Sequence, residues 1–237
     1  MSGIEQYVGY NAPRADFKPE AFDALIIQKG YRVLWEQGMF CSCYNMQSGQ
    51  PDYNCPACKG KGYVYFGGKI TRALVTSING HREQERIGLY DMGTAYLTPL
   101  STDNVGFRDR FTFLDFIVKF SEVIKRGAPG TADALRYEAI DIIALRNLNT
   151  EYKREVDFEL SEDKRHIKWI TEPLYENDQY SVLYTIRPVY IAINPIHELR
   201  GTYTKQGARG LENFVSLPKQ FQIKREDFIE YDNPFQG

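Results

Sequence analysis

Apolar residues fall along this chain in short stretches rich in Val, Ile, Tyr and Phe, separated by polar positions and by Gly, Pro, Asn and Asp. Such stretches belong to strands. The stretches predicted to form strands are Tyr31 to Phe40, Tyr63 to Phe66, Ile70 to Ile78, Thr94 to Leu97, Phe111 to Phe120, Tyr137 to Leu145, Tyr152 to Leu160, His166 to Ile170 and Tyr180 to Ile193. Val156-Asp-Phe-Glu-Leu160 alternates cleanly and predicts Val156, Phe158 and Leu160 inside, with Asp157 and Glu159 in solvent or on a partner. The run from Tyr180 to Ile193 is long for one strand, and Pro188 cannot donate to a ladder, so a bend, bulge or barrel corner is expected there.

One helix is predicted, from about Pro19 to Lys29. Pro19 suits a first turn, Glu20 and Asp23 favour the N-terminal dipole, Phe22, Leu25 and Ile26 form an apolar stripe, and Gly30 can end it. Residues 1–30 thus read as an N-terminal arm with a short helix. Residues 31–195 read as a β-rich core, either barrel or sandwich, with a loop inserted at 41–66. Residues 196–237 change character: Phe214, Leu217, Phe221, Ile223, Phe228 and Phe235 fall at irregular intervals between charges. This pattern predicts an extended C-terminal arm that gains stability by lying along a surface, its own or a neighbour's. The fold class expected is mainly β, with a short N-terminal helix and a small zinc-binding loop insertion.

The four cysteines carry the clearest chemistry. They are confined to Cys41-Ser-Cys43 and Cys55-Pro-Ala-Cys58, the latter followed by Lys59-Gly60-Lys61-Gly62. Two close pairs joined by a short loop can bring two thiolates to each side of a tetrahedral ion. The C-x-x-C half lets backbone N–H groups turn toward sulfur, and the glycines after it permit positive φ. The expected ligands are therefore Cys41, Cys43, Cys55 and Cys58, and the expected ion is a structural zinc. Local disulfides and free thiols are the alternatives, as is iron in place of zinc. Four thiolates close the coordination shell and leave no position for a reactive water. His81, His166 and His197 lie outside the loop.

Composition adds limits. The chain is 43% hydrophobic and 25% charged, an ordinary globular balance, while 17 Tyr and 14 Phe favour β-structure and protein-binding surfaces. A formal charge of −2 argues against broad electrostatic capture of nucleic acid. No run of apolar residues is long enough to span a bilayer, and Met1-Ser-Gly-Ile-Glu-Gln-Tyr lacks the pattern of a signal peptide, so a reducing cytoplasm and no membrane partner are expected. Arg82, Glu83, Glu85 and Arg86 read as a solvated loop, Arg108-Asp-Arg110 as a mixed-charge strand edge, and Lys125 to Gly130 as a connection without the spacing of a phosphate-binding loop. The pair Asp157 and Glu159 is the polar face of an amphipathic strand. No spacing points to an enzyme.

A family resemblance follows from several of these pieces taken in order. Cys-x-Cys, Cys-Pro-x-Cys-x-Gly-x-Gly-Tyr, Val156-Asp-Phe-Glu-Leu160, Ile167-Lys-Trp169, Tyr180-Ser-Val-Leu-Tyr184, Arg187-Pro-Val-Tyr-Ile191 and Leu217-Pro-Lys-Gln-Phe221 resemble the head-tail connector or neck proteins of tailed bacteriophages. The resemblance implies a non-enzymatic virion protein, assembled in the host cytoplasm and placed at the head-tail interface. It implies a homo-oligomeric ring of six or twelve copies that contacts portal or adaptor and tail proteins and lets genomic DNA pass without sequence-specific binding. The alternative is a zinc-containing nucleic-acid-binding module, in which Lys59, Lys61, Lys69 and Arg72 would share a face with Tyr63, Tyr65 and Phe66.

Overall fold

The computed structural model describes residues 19–77, 93–148, 150–171, 173–197, 199–206 and 211–229. One helix, α1 (Pro19–Lys29), precedes the strands. In chain order these are β1 (Tyr31–Phe40), β2 (Tyr63–Ser77), β3 (Thr94–Pro99), β4 (Arg110–Phe113), β5 (Val118–Lys125), β6 (Asp133–Ala134), β7 (Asp141–Arg146), β8 (Glu151–Tyr152), β9 (Phe158–Leu160), β10 (His166–Trp169), β11 (Gln179–Ile186), β12 (Val189–His197), β13 (Gly201–Gln206), β14 (Leu211–Ser216) and β15 (Gln220–Arg225).

Six of them close a barrel in the order β1-β2-β3-β15-β12-β4. The period-two pattern turns Val33, Trp35, Ala73, Leu97, Phe111, Phe113, Ala192, Phe221 and Ile223 into its core. A second core, around Leu145, Phe158, Ile167, Tyr180, Val182 and Tyr184, is shared by a four-stranded sheet β5-β11-β7-β8 and a three-stranded sheet β6-β10-β9. This second module is inserted between β4 and β12 of the barrel. The chain leaves the barrel through 114–117 and returns through Arg187-Pro188, and the two crossings touch where Phe113 N–H donates to the Pro188 carbonyl at 3.0 Å. Pro188 therefore stands between two strands of different sheets, as the break in the apolar run required.

The helix ends at Gly30, whose N–H reaches the Ile26 carbonyl at 2.7 Å. A Cβ on Gly30 would lie 2.4 Å from that same oxygen and 3.0 Å from the Ala73 carbonyl oxygen, so glycine is required chiefly by the last turn of the helix and also by close approach to β2. The buried stripe is narrower than the sequence predicts: Ile26 is buried and Phe22 half-buried, but Leu25 is exposed.

Several strands are shorter than their sequence pattern. The run Phe111 to Phe120 splits because Asp115 accepts the backbone N–H of Arg32 at 3.1 Å, ending the β4 ladder before β5 begins in another sheet. The stretch before β7 keeps its alternation, with Leu135, Tyr137 and Ala139 buried, yet Leu135 and Ala139 donate to the carbonyls of Arg165 and Lys164 outside any strand ladder. Between Tyr152 and Phe158 the chain turns: Glu155 adopts φ 66°, and the Asp157 carboxylate accepts the Lys153 N–H at 2.7 Å. Val156 is consequently exposed, whereas Phe158 is buried as expected.

The largest departure concerns residues 196–237. The segment is not an extended arm over its described length: β13 and β14 pair as a hairpin, and β15 is an interior strand of the barrel between β3 and β12. Gln220-Phe-Gln-Ile-Lys-Arg225 alternates over only six residues, enough to bury Phe221 and Ile223 completely once both neighbours supply ladders. Residues 1–18 and 230–237 lie outside the described residues.

Candidate metal centre

β1 and β2 run on beyond the barrel as a two-stranded arm, pairing Gln37 to Phe40 with Phe66 to Tyr63. Cys41 N–H continues the ladder to the Gly62 carbonyl at 2.8 Å, and the loop between them holds all four cysteines. Its course is set by local polar contacts. Tyr44 N–H bonds the Cys41 carbonyl at 2.9 Å, Asn45 and Gln50 form an isolated bridge, and the Asp52 carboxylate accepts Asn54 N–H at 2.9 Å. Past Cys55 the chain folds into a knuckle in which Lys59 N–H meets the Cys55 carbonyl at 2.8 Å and Lys61 N–H meets the Cys58 carbonyl at 3.1 Å. Lys59, Gly60 and Gly62 all have positive φ, the reversal anticipated from the glycines.

The four Sγ atoms all lie within 4.8 Å of one another. Two close approaches run between the two pairs: Cys41 to Cys55 at 3.7 Å and Cys43 to Cys58 at 3.4 Å. A zinc–sulfur bond of about 2.3 Å places tetrahedral sulfurs about 3.8 Å apart, so the cluster needs little adjustment to receive such an ion. These separations are far longer than a sulfur–sulfur bond of about 2.05 Å, and all four cysteines are free. Four cysteines so placed can hold a metal ion.

The electrostatics within the loop are uneven. The N–H groups of Cys58 and Ala57 point at the Cys55 sulfur and lower its thiol to about 7. Burial pushes Cys43 up to about 12, and its thiol neighbours add to the rise against the backbone N–H of Asp52. A dication at the centre favours the thiolate at every ligand.

An aromatic group braces the loop: Phe40 lies 4.8 Å from Tyr44 and 4.9 Å from Tyr63, between ring centroids. Arg108 covers the Tyr63 ring at 5.0 Å, and Arg110 covers Tyr65 at 4.1 Å while forming two 2.8 Å bonds to Glu36. Asp109, read from sequence as part of a charged strand edge, is buried and accepts Trp35 Nε1–H at 2.7 Å, Gly106 N–H at 2.8 Å and Gly38 N–H at 2.9 Å. It fixes the root of the arm. Lys61 is bound to Glu226 at 2.7 Å, in the short 3-10 turn after β15. Nothing in the local sequence marks Glu226, which is 165 residues distant.

The other candidates go elsewhere. His166 pairs with Asp163 at 3.0 Å, far along the chain from the cysteines, His197 belongs to β12, and His81 lies outside the described residues together with Arg82, Glu83, Glu85 and Arg86. Within Lys125 to Gly130, Arg126 is buried against Asp133 at 3.1 Å. Of the residues considered for nucleic acid, Lys61, Lys69 and Arg72 are engaged by Glu226, Asp103 and the Gly30 carbonyl at 2.7, 2.6 and 3.1 Å. Tyr63 and Tyr65 lie under arginines, while Phe66 and Lys59 remain exposed.

No protein-family model matches the chain, and no curated protein matches it.

Proposed function

We propose that this protein is a structural virion protein of a tailed bacteriophage, a ring-forming subunit of the head-tail connector that joins portal to tail and carries one structural zinc on Cys41, Cys43, Cys55 and Cys58. The observation that carries the reading is the braced arm itself. A closed barrel projects a hairpin whose tip is gathered by four thiols, and Met39, Phe40, Met46, Phe66 and Phe107 stand exposed on and beside it. Large apolar side chains on a stiffened projection suit docking to another protein, because the ordering cost has been met before contact. Repetition of such a contact around a ring turns modest affinity into a closed assembly. Its work is mechanical and not enzymatic, its place is the head-tail interface, and the DNA it surrounds slides through unbound.

The second reading, a zinc-containing nucleic-acid-binding module, needs the basic and aromatic residues of β2 to act together on one strand of nucleic acid. The engagement of Lys61, Lys69 and Arg72 within the protein weighs against it.

Native mass spectrometry of the purified protein tests both. A ring of six or twelve copies with one zinc per chain is expected. A zinc-loaded monomer that binds DNA with a steep salt dependence would replace the connector reading with the second one.

A further inference from the structure

A cleft of about 480 Å³ opens where the barrel wall, the base of the cysteine loop and the inserted module meet. Six cations line it: Lys59, Lys61, Arg110, Arg136, Arg165 and Arg187. Lys61 is neutralised by Glu226 and Arg110 by Glu36. The other four are exposed and form no ion pair among the described residues, and the one remaining carboxylate of the lining is Glu138. The cleft therefore holds an uncompensated positive field inside a protein of net negative charge.

Its floor is of a different kind. Leu34, Val64, Ile140 and Val189 contribute aliphatic surface between the cations. Tyr137, on the same wall, is buried with its hydroxyl lacking a hydrogen bond among the described residues. The Arg136 guanidinium lies 5.4 Å from the Tyr137 ring centre, which restrains the fork.

We propose that this cleft binds an extended acidic peptide segment of a partner protein. Its carboxylates would meet Arg136, Arg165 and Arg187, and its alternate apolar side chains the aliphatic floor. Guanidinium forks match carboxylates in bidentate geometry, and an extended peptide presents alternate side chains to opposite sides, so one edge can be acidic while the other is apolar. A nucleic-acid backbone offers no side chains for the aliphatic floor. Because the walls come from three parts of the chain, the bound segment would also tie the arm to the inserted module. The inference concerns the cleft alone and stands independently of ring formation.

The test is fluorescence anisotropy with a labelled Glu-Phe-Glu-Phe-Glu-Phe peptide, its Gln-Phe counterpart and a single-stranded oligonucleotide. The Glu peptide is expected to bind saturably and to weaken at higher ionic strength. Combining Arg136→Glu with Arg187→Glu should lower its affinity at least about tenfold, whereas Arg146→Glu, on an exposed position of β7, should leave it unchanged. Thermal melts confirm that both variants fold. Absence of saturable binding, equal binding of the Glu and Gln peptides, or equal loss in the Arg146 variant would overturn the proposal. Tighter binding of the oligonucleotide, lost in the Arg136 and Arg187 variant, would overturn it in favour of a nucleic-acid cleft.

Discussion

Lys61 Nζ lies 2.7 Å from Glu226 Oε1, and this contact joins the base of the cysteine loop to the turn that follows the last barrel strand. Only 1% of the Glu226 side chain is exposed, so the carboxylate depends on its partner, while Lys61 keeps partial access to water. The loop is thereby fastened to the barrel by a contact independent of its sulfur atoms.

Removing Lys61 should therefore cost more than removing a surface lysine. Lys61→Ala leaves the buried Glu226 carboxylate without its ion-pair partner, and a loss of about 3 kcal/mol is expected. Adding Glu226→Gln to the same protein should recover part of it. Urea denaturation of the two single variants and the double variant measures the coupling.

Replacing Cys55 and Cys58 by serine should abolish metal binding and open the loop while the barrel stays folded. The barrel has its own core of Val33, Phe111, Phe221 and Ile223, with no contribution from the cysteines. Elemental analysis should show that any metal bound by the wild type is lost, and limited proteolysis should cut within 41–62. Unchanged metal content or an uncut loop would contradict a metal held by these cysteines.

Asp133 gathers the inserted module. It accepts Gly127 N–H at 2.8 Å, Trp169 Nε1–H at 2.9 Å and Tyr180 O–H at 2.7 Å, and pairs with buried Arg126. Burial works to raise its carboxyl, but the Gly127, Trp169 and Tyr180 donors and the Arg126 charge outweigh it and hold the group below the usual carboxylate range. A depressed folded value stabilises the fold above the unfolded value of about 3.9 and ceases to do so as pH falls through the folded one. Wild type should lose stability across that acid window. Asp133→Asn should be less stable at neutral pH by about 1.5 to 3 kcal/mol, because the charge that strengthens its bonds to Arg126, Gly127, Trp169 and Tyr180 is gone, and should show a shallower acid slope. Denaturant melts at neutral and acid pH check both parts.

Gly38→Ala probes the root of the arm. A Cβ there would stand 2.3 Å from the Arg108 carbonyl oxygen and 2.8 Å from its carbon, both backbone atoms held by the neighbouring ladder. A loss of about 1 to 3 kcal/mol is expected from the forced shift. The same shift should weaken the Gly38 N–H bond to Asp109. Thermal unfolding reads the stability, and amide exchange at Gly38 reads the bond.

The cysteine cluster was legible because its information is local: two short spacings and two glycines determine how the loop can turn. Gly30 and Pro188 were legible for the same reason, each acting through its own backbone. What escaped reading depends on distant partners. Phe221 and Ile223 sit in a six-residue strand among charges, and their burial requires β3 and β12 on either side. Asp109 looked like an exposed charge until Trp35 and Gly38 came to it across more than seventy positions. Val156 failed in the other direction, since a clean alternation was interrupted by a turn that Asp157 stabilises. The arginines over Tyr63 and Tyr65 likewise come from the segment before β4 and its first residue, with no local sign of the meeting.

The insertion of the second module between β4 and β12 has a consequence for synthesis on the ribosome. Strands β1 to β4 emerge first but cannot complete a barrel, because β12 and β15 have yet to be made. The inserted module has all its strands once β11 has emerged, and neither of its sheets pairs with a barrel strand. The later-made part can thus reach its native pairing ahead of the earlier one, and the N-terminal strands wait with open edges until residues 220–225 arrive.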